Sequence, residues 1–440
     1  MTAGKKTELK RTIGLAALTL YGIGDILGAG VYGLIGKAAG EMGSAVWLAF
    51  FVSMVAAGLT GLSYASLSSR YPKAGGASYV TYRAFGNSAL SYMVGLTVLA
   101  SGLTSMATAA RVFSGYLCAM FPFLPLTLTA LVFSVLLMLL VFWGIKEALI
   151  ANGVCTLVEI GGLLLILIFG ATYVGSTNYF DAITPTNPTG DITLSLCLTG
   201  AVLTFYSFIG FEDMFNVAEE VKDPRITLPR ALIGAVLISS LIYMAISIVA
   251  VSVIPPAELA LSRQPLVDVM RKAAPWFPTQ LYSVIALFAV ANTALLNYIM
   301  GSRLLYGMSN QGLLPIKLST IHERTKTPYV AIVTMWLLFV ILIVSGDISS
   351  LAKSTSVLLL ICFIIVNASL VVLKRKEKIP GSFEIPSIVP ICGALICGAM
   401  LWRAKAPEWI TAGSLIAVIL VLYAVLRPTA KAIESIDELN

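Results

Sequence analysis

The chain has 440 residues, of which 58% are hydrophobic and only 12% charged, with a mean hydropathy of +0.91. A water-soluble chain of this length would need charged surfaces over two or three domains, so the composition excludes that class and indicates an integral membrane protein. The net charge of +7 does not require nucleic acid, because the basic residues are sorted by loop and not gathered in a patch.

Apolar runs long enough to cross a bilayer predict about twelve transmembrane helices. Their expected limits are 12–39, 44–69, 88–117, 127–143, 152–174, 193–216, 230–254, 279–305, 328–345, 350–373, 387–403 and 409–426. The first eleven residues are polar and basic, and the run after them is too long for a cleavable signal. Between spans, Lys5, Lys6, Lys10, Arg11, Arg70, Lys73, Arg83, Lys222, Arg225, Arg230, Lys317, Arg324, Lys326 and the run Lys374-Arg375-Lys376 all fall on one side. The opposite loops hold few basic residues, chiefly Arg263, Arg271 and Lys272. Positive charge stays on the cytoplasmic face, so both termini are expected inside the cell, in a bacterial type of inner membrane.

The longer loops, near 70–87, 175–192, 255–278 and 306–327, are too short for separate cores, so one transmembrane domain over 1–440 is expected. The six cysteines lie in or beside apolar runs without a CxxC pair, and His322 is the single histidine. Disulfide, metal and histidine-based chemistry therefore have almost no material, and no metal or other cofactor is expected.

Two spans break the apolar rule. The first carries Gly22-Ile23-Gly24-Asp25-Ile26-Leu27-Gly28-Ala29-Gly30, and the sixth carries Tyr206-Ser207-Phe208-Ile209-Gly210-Phe211-Glu212-Asp213. Glycine inside a helix costs about 1 kcal/mol relative to alanine, and an ionisable group at bilayer depth costs about 2.5 kcal/mol or more. Five spans separate the two violations, so the segments run in opposite senses, as in an inverted repeat with interrupted helices at its centre. Residues 12–175 and 193–373 are the expected repeats, with two further helices over 387–426. A helix break at membrane depth exposes N–H groups suited to a carboxylate and C=O groups suited to an ammonium. One break can thus hold both ends of an amino acid zwitterion. Glycines that only permit close helix packing are the competing explanation.

With these segments in view, the sequence resembles the amino acid–polyamine–organocation (APC) transporters. Residues 22–40, GIGDILGAGVYGLIGKAAG, look like their first span, and FYSFIGFEDMFNVAEEVKDPRITLPRAL resembles their sixth span and the loop after it. RLLYGMSNQGLLP, Arg303 to Pro315, is similar to the end of their eighth. The resemblance runs from about residue 10 to 426. It implies an all-α, LeuT-like fold of five-plus-five inverted helices with discontinuous helices 1 and 6. It also implies alternating access and a substrate that is an amino acid or related amine.

By resemblance, Gly28, Ala29 and Gly30 match the backbone that receives the substrate carboxylate. Ile26, Tyr206 and Ile209 match carbonyls around the amino group, with Gly210 as the second break. Tyr206 and Phe208 lie where relatives place an aromatic lid, and Asn297 falls at a pocket-lining position of span 8. Glu212 matches an acidic position associated with proton coupling, and physics agrees, since a carboxyl taken out of water holds its proton more readily. Asp213, about 100° further round a helix, is expected to make a structural contact. Two residues depart from the family pattern. Asp25 stands where a neutral residue is usual, as a pocket charge, a proton carrier or a cap on the broken helix. Glu159 occupies a position where proton-dependent relatives carry lysine, so lysine-based coupling does not transfer. Its carboxylate has three readings: cation binding, proton exchange, or pairing with Arg111 or Lys353. Arg111, Lys37 and Lys353 sit near span ends and are expected to snorkel.

The reading is an amino acid secondary transporter, driven by a proton gradient with sodium left open, whose partners are its small substrate and the bilayer. An exchanger, or a carrier of cationic amino acids and polyamines, is the alternative. An enzyme lacks a nucleophile–base pair, a channel lacks a repeated filter, and a non-transporting sensor would bind substrate without flux.

Overall fold

In the computed structural model, residues 9–262, 264–345, 349–404, 406–426 and 428 are described, with backbone alone at 29, 33, 119, 345, 349–355 and 407. Lys5, Lys6, Arg263 and the side chain of Lys353 thus lie outside the description. The described chain is helical, with two isolated β-bridges and no strand.

The membrane helices are α1 (Leu15–Met42), α2 (Val46–Arg70), α4 (Ser88–Met120), α5 (Leu126–Trp143), α6 (Ile145–Gly170), α7 (Leu194–Phe205), α8 (Pro224–Val253), α11 (Thr279–Asn310), α12 (Tyr329–Ser345), α13 (Ser349–Lys376), α14 (Ile388–Trp402) and α15 (Ala406–Leu426). Among the described residues ten helical stretches are long and apolar enough to cross a bilayer. The shorter apolar helices Tyr329–Val344 and Ile388–Trp402 bring the set to the twelve expected. Local chemistry marks several starts. Asn87 caps α4 by accepting from Leu90 N at 3.0 Å, Thr193 caps α7 by accepting from Leu196 N at 3.1 Å, and Pro224 opens α8.

Three expectations need correction. Span 5 begins at Ile145, seven residues before the apolar run suggests, because α6 starts directly after Gly144. The loops near 70–87 and 255–278 contain helices, α3 (Gly76–Phe85), α9 (Pro256–Leu261) and α10 (Pro265–Ala273). They are too short or too polar for a membrane-span criterion to register. Span 6 is α-helical only to Phe205, and 3₁₀ turns over Tyr206–Phe208, Phe211–Phe215 and Ala218–Glu220 replace the rest.

Packing partners exchange between the two halves of the chain. The broadest interfaces pair α2 with α8 and α4 with α11. Contact of α1 with α8 is matched by α7 with α2, and α6 with α11 by α13 with α4. The helices α14 and α15 flank this assembly, against α2 and α13 and against α4 and α13.

Candidate substrate site between two helix breaks

The two costly segments meet at the centre of the fold. In α1, Gly28 alone leaves helical geometry (φ −34°, ψ −154°), so the break is a one-residue kink and not a three-residue unwound stretch. In the sixth span, Ile209 is extended and Gly210 takes φ 130°. That conformation strains any residue with a Cβ. Space demands glycine there too, since a Cβ on Gly210 would lie 2.9 Å from the Asp25 carbonyl carbon. The relation is reciprocal: a Cβ on Gly30 would lie 2.9 Å from Ser207 Cα. Each break is built against the backbone of the other.

Between them lies a cavity of about 50 Å³. Asp25, Ile26, Gly28 and Gly30 of α1 line it, with Tyr206, Ser207, Ile209, Gly210, Glu212 and Asp213 of the sixth span. Val98, Ser101, Gly102 and Ser105 of α4 and Thr293, Asn297 and Met300 of α11 complete the wall. At roughly 10–15 Å³ per water-sized group the volume admits about four such groups, enough for a zwitterionic head but not for a large side chain. Asn297 donates to Thr293 O at 2.9 Å and to Ser105 Oγ at 3.4 Å, which fixes its amide across the α4–α11 interface.

Three carboxyl groups enter this cavity, and no lysine or arginine lines it among the described residues. Glu212 turns back on its own break, its Oε2 accepting from Gly210 N at 2.9 Å. Asp213, expected to make only a structural contact, also lines the cavity beside Asp25. Oδ2 of Asp25 is buried without a hydrogen-bond partner, so Asp25 is not saturated by capping its helix.

Two expected site residues lie elsewhere. Phe208 does not cover the cavity. Tyr206 lines it, but Phe208 does not. Phe208 is fully buried against Tyr243 and Phe50, with ring centroids 5.1 and 6.5 Å away. Glu159 is separated from the cavity. It lies on the face of α6 that carries Thr156 and Asn152, one and two turns before it. Asn152 Nδ2 donates to Asn292 Oδ1 at 3.0 Å, and Asn292 Nδ2 donates to Thr156 Oγ1 at 3.0 Å. This cluster abuts α1 at Gly24, where a Cβ would lie 2.1 Å from Thr156 Oγ1. Both Glu159 oxygens are buried without a partner, and the expected pairing with Arg111 is not made. Arg111 donates instead to Ile343 O at 3.0 Å. The side chain of Ala29 lies outside the description.

The carbonyls expected around an amino group are partly engaged. Tyr206 O accepts from Ile209 N at 3.3 Å, and Ile26 O accepts from the Tyr243 hydroxyl. Sequence reasoning passed over Tyr243, Thr293 and the small α4 face Ser101-Gly102-Ser105. The last was legible as small polar residues in a row on a membrane span.

At the end of the cavity nearer the second break's exit, charge and backbone lock the helices together. Arg303 of α11 and Glu220 are both fully buried and pair through two contacts, Nε to Oε2 at 3.0 Å and Nη2 to Oε1 at 3.2 Å. Glu220 O accepts from Thr12 N and Ile13 N at 2.8 and 3.0 Å, and Lys222 N donates to Ile13 O at 2.9 Å. Towards the opposite end of α1, α9 and α10 rest on it at Gly36, where a Cβ would lie 2.4 Å from Leu259 O.

A twelve-helix membrane protein with two mutually packed helix breaks around a polar central cavity has the architecture of a secondary transporter. The chain belongs to the amino acid permease family, whose model matches residues 13–427. It is 28% identical over 416 residues to the branched-chain amino acid permease BcaP of Bacillus subtilis, covering 90% of this chain and 88% of that one. It is 27% identical to the methylthioribose transporter of the same organism, over 95% and 94% of the two chains. The vacuolar cationic amino acid transporter 2 of Arabidopsis thaliana is 30% identical over 88% of this chain and 64% of its own.

Proposed function

We propose that this protein carries amino acids across a bacterial cytoplasmic membrane by alternating access, in symport with protons. The observation that supports it most is the cavity where both helix breaks, three carboxyl groups and no basic side chain converge. Backbone at Gly28 and Gly30 offers the substrate carboxylate its donors, while Asp25 and Ile209 face the amine. Glu212 and Asp25 are the proposed sites of the coupled proton, and Glu159 is a second one outside the cavity. The exchange of packing partners between halves supports an inverted repeat of 12–175 and 193–373, and the sorting of basic residues to one set of loops supports both termini being cytoplasmic. Names of relatives support amino acids as the substrate class, while the methylthioribose transporter warns that the family accommodates other heads.

Purified protein in liposomes is expected to show saturable uptake of amino acids that rises with an inward proton gradient. Glu212→Gln is expected to lose the stimulation by the gradient. Uptake that ignores both the gradient and this substitution would sink the coupling. The acidic lining also favours a second reading, a cationic substrate whose side chain takes the place of the proton. Competition by arginine and lysine, but not by leucine, would select it.

A further inference from the structure

A second cavity lies away from the helix breaks, beyond the end of α8, where α9 and α10 rest on α1. Its volume is about 260 Å³, against about 50 Å³ for the central one. At roughly 10–15 Å³ per water-sized group it has room for a whole amino acid. Ile254, at the C-cap of α8, and Leu259 of α9 are buried and give it an apolar wall. The polar wall divides into spent and unspent charge. Asp268 of α10 is spent within the fold, its Oδ2 accepting from the Ser262 hydroxyl and its Oδ1 pairing with Arg271 Nη2 at 2.8 Å. Glu258 of α9 and Lys272 of α10 line the same cavity, and their side chains make no hydrogen bond or ion pair among the described residues. The Lys272 backbone is tied to the end of α6, its carbonyl accepting from the Tyr173 hydroxyl at 3.4 Å.

Two acids balance two bases in this lining, which therefore favours a molecule carrying both charges over a free anion or cation. We propose that the cavity is a second ligand site, separate from the central one, for a free amino acid with an apolar side chain. Glu258 receives its ammonium, Lys272 and the remaining N–H groups of Arg271 receive its carboxylate, and Ile254 and Leu259 receive its side chain. The site reaches the transport path through α1. A Cβ on Gly36 would lie 2.4 Å from Leu259 O and 3.0 Å from Pro265 Cγ, and one on Gly40 would lie 2.8 Å from Ala260 Cβ. These two glycines, one turn apart, seat α9 and α10 on the half of α1 that follows the break at Gly28. A ligand whose contacts exist only with α9 and α10 in this arrangement stabilises it. Occupancy here therefore restrains that half of α1 and slows release from the central cavity.

Equilibrium dialysis of radiolabelled L-leucine against the full-length protein in lipid-free detergent counts the sites. Wild type is expected to bind two molecules per chain and Glu258→Gln/Lys272→Met one. Both residues are exposed, so the substitutions leave the core untouched, and the remaining equivalent reports a folded central site. A second readout follows release of leucine loaded at low concentration. In wild type, a chase with excess unlabelled leucine is expected to slow release about fivefold relative to simple dilution, and the double variant is expected to lose the slowing. A competitor that only blocks rebinding would speed release instead. A leucine count left unchanged by the double substitution overturns the proposal, and wild-type release that the chase does not slow overturns the link to α1. Binding of L-arginine without any leucine would remove the second site and leave the amino acid reading of the central cavity standing. Binding of neither would remove both.

Discussion

The two helix breaks occupy equivalent places yet are made differently. In α1 the chain kinks at Gly28 and the helix resumes, with Thr293 of the neighbouring α11 filling the space a Cβ would need, its Oγ1 only 2.3 Å away. In the sixth span the α-helix does not return, and the chain proceeds through 3₁₀ turns behind Gly210 at φ 130°. At Gly28 itself the crowding comes from a neighbour's side chain, while at Gly210 it comes from the Asp25 backbone, with the Glu212 carboxylate taking the Gly210 N–H. A side chain can yield to a substitution. Backbone cannot.

That contrast has consequences for mutation. Gly210→Ala is expected to reduce amino acid uptake by tenfold or more. Positive φ alone adds strain of about 1–3 kcal/mol, and the Asp25 backbone cannot move aside. Gly28→Ala is expected to impair uptake less, and the double variant Gly28→Ala/Thr293→Ala to recover part of the loss. Equal defects in both single variants, with no recovery, would erase the distinction between the breaks.

A second expectation tests the lock beneath the second break. Arg303→Ala leaves Glu220 buried and unpaired, and should cost about 3–5 kcal/mol, read as a lowered unfolding temperature in detergent. The paired replacement Arg303→Met/Glu220→Leu should be clearly milder, because it removes both charges. Should the pair prove as damaging as Arg303→Ala, the lock would depend on more than charge balance.

The smallest effect concerns pH. Glu219 follows the sixth span, and its Oε1 accepts from Ala74 N at 3.0 Å. Burial raises its pKa above the ordinary glutamate range, only partly offset by that hydrogen bond and by Lys73. The folded state therefore favours the protonated form. The associated stability is present below the unfolded-state pKa and is lost as pH rises through the raised folded value. Glu219→Gln should gain stability relative to wild type between pH 5 and 8, and a constant difference over that range would contradict it.

Much of this was open to reading before any coordinates. The glycines that break the spans stand out against an apolar background, and Asp25, Glu212 and Asn297, singled out from sequence, all line one cavity. What the sequence left open depends on how side chains are rotated in the packed fold. Phe208 was expected over the substrate because relatives place an aromatic lid there, whereas here its ring packs against Tyr243. Glu159 was placed with the coupling residues by its position in the family pattern, and its distance from the cavity was not legible: the face of α6 that bears it meets α1 at Gly24, one turn away from the cavity break. Tyr243 looks like any aromatic in a membrane helix. Its significance exists only because α8 crosses behind both breaks at once.

By itself, then, the sequence determined the membrane setting, the expected orientation and the two places where helices fail. These follow from transfer energies and from the conformational cost of glycine, which are local properties of the chain. Tertiary structure alone decided which side chains share the cavity and which carbonyls remain free. It also decided that Glu220 finds Arg303 across 83 positions of sequence. Those outcomes depend on helix rotation and close packing between distant segments, and no local pattern of residues carries that information.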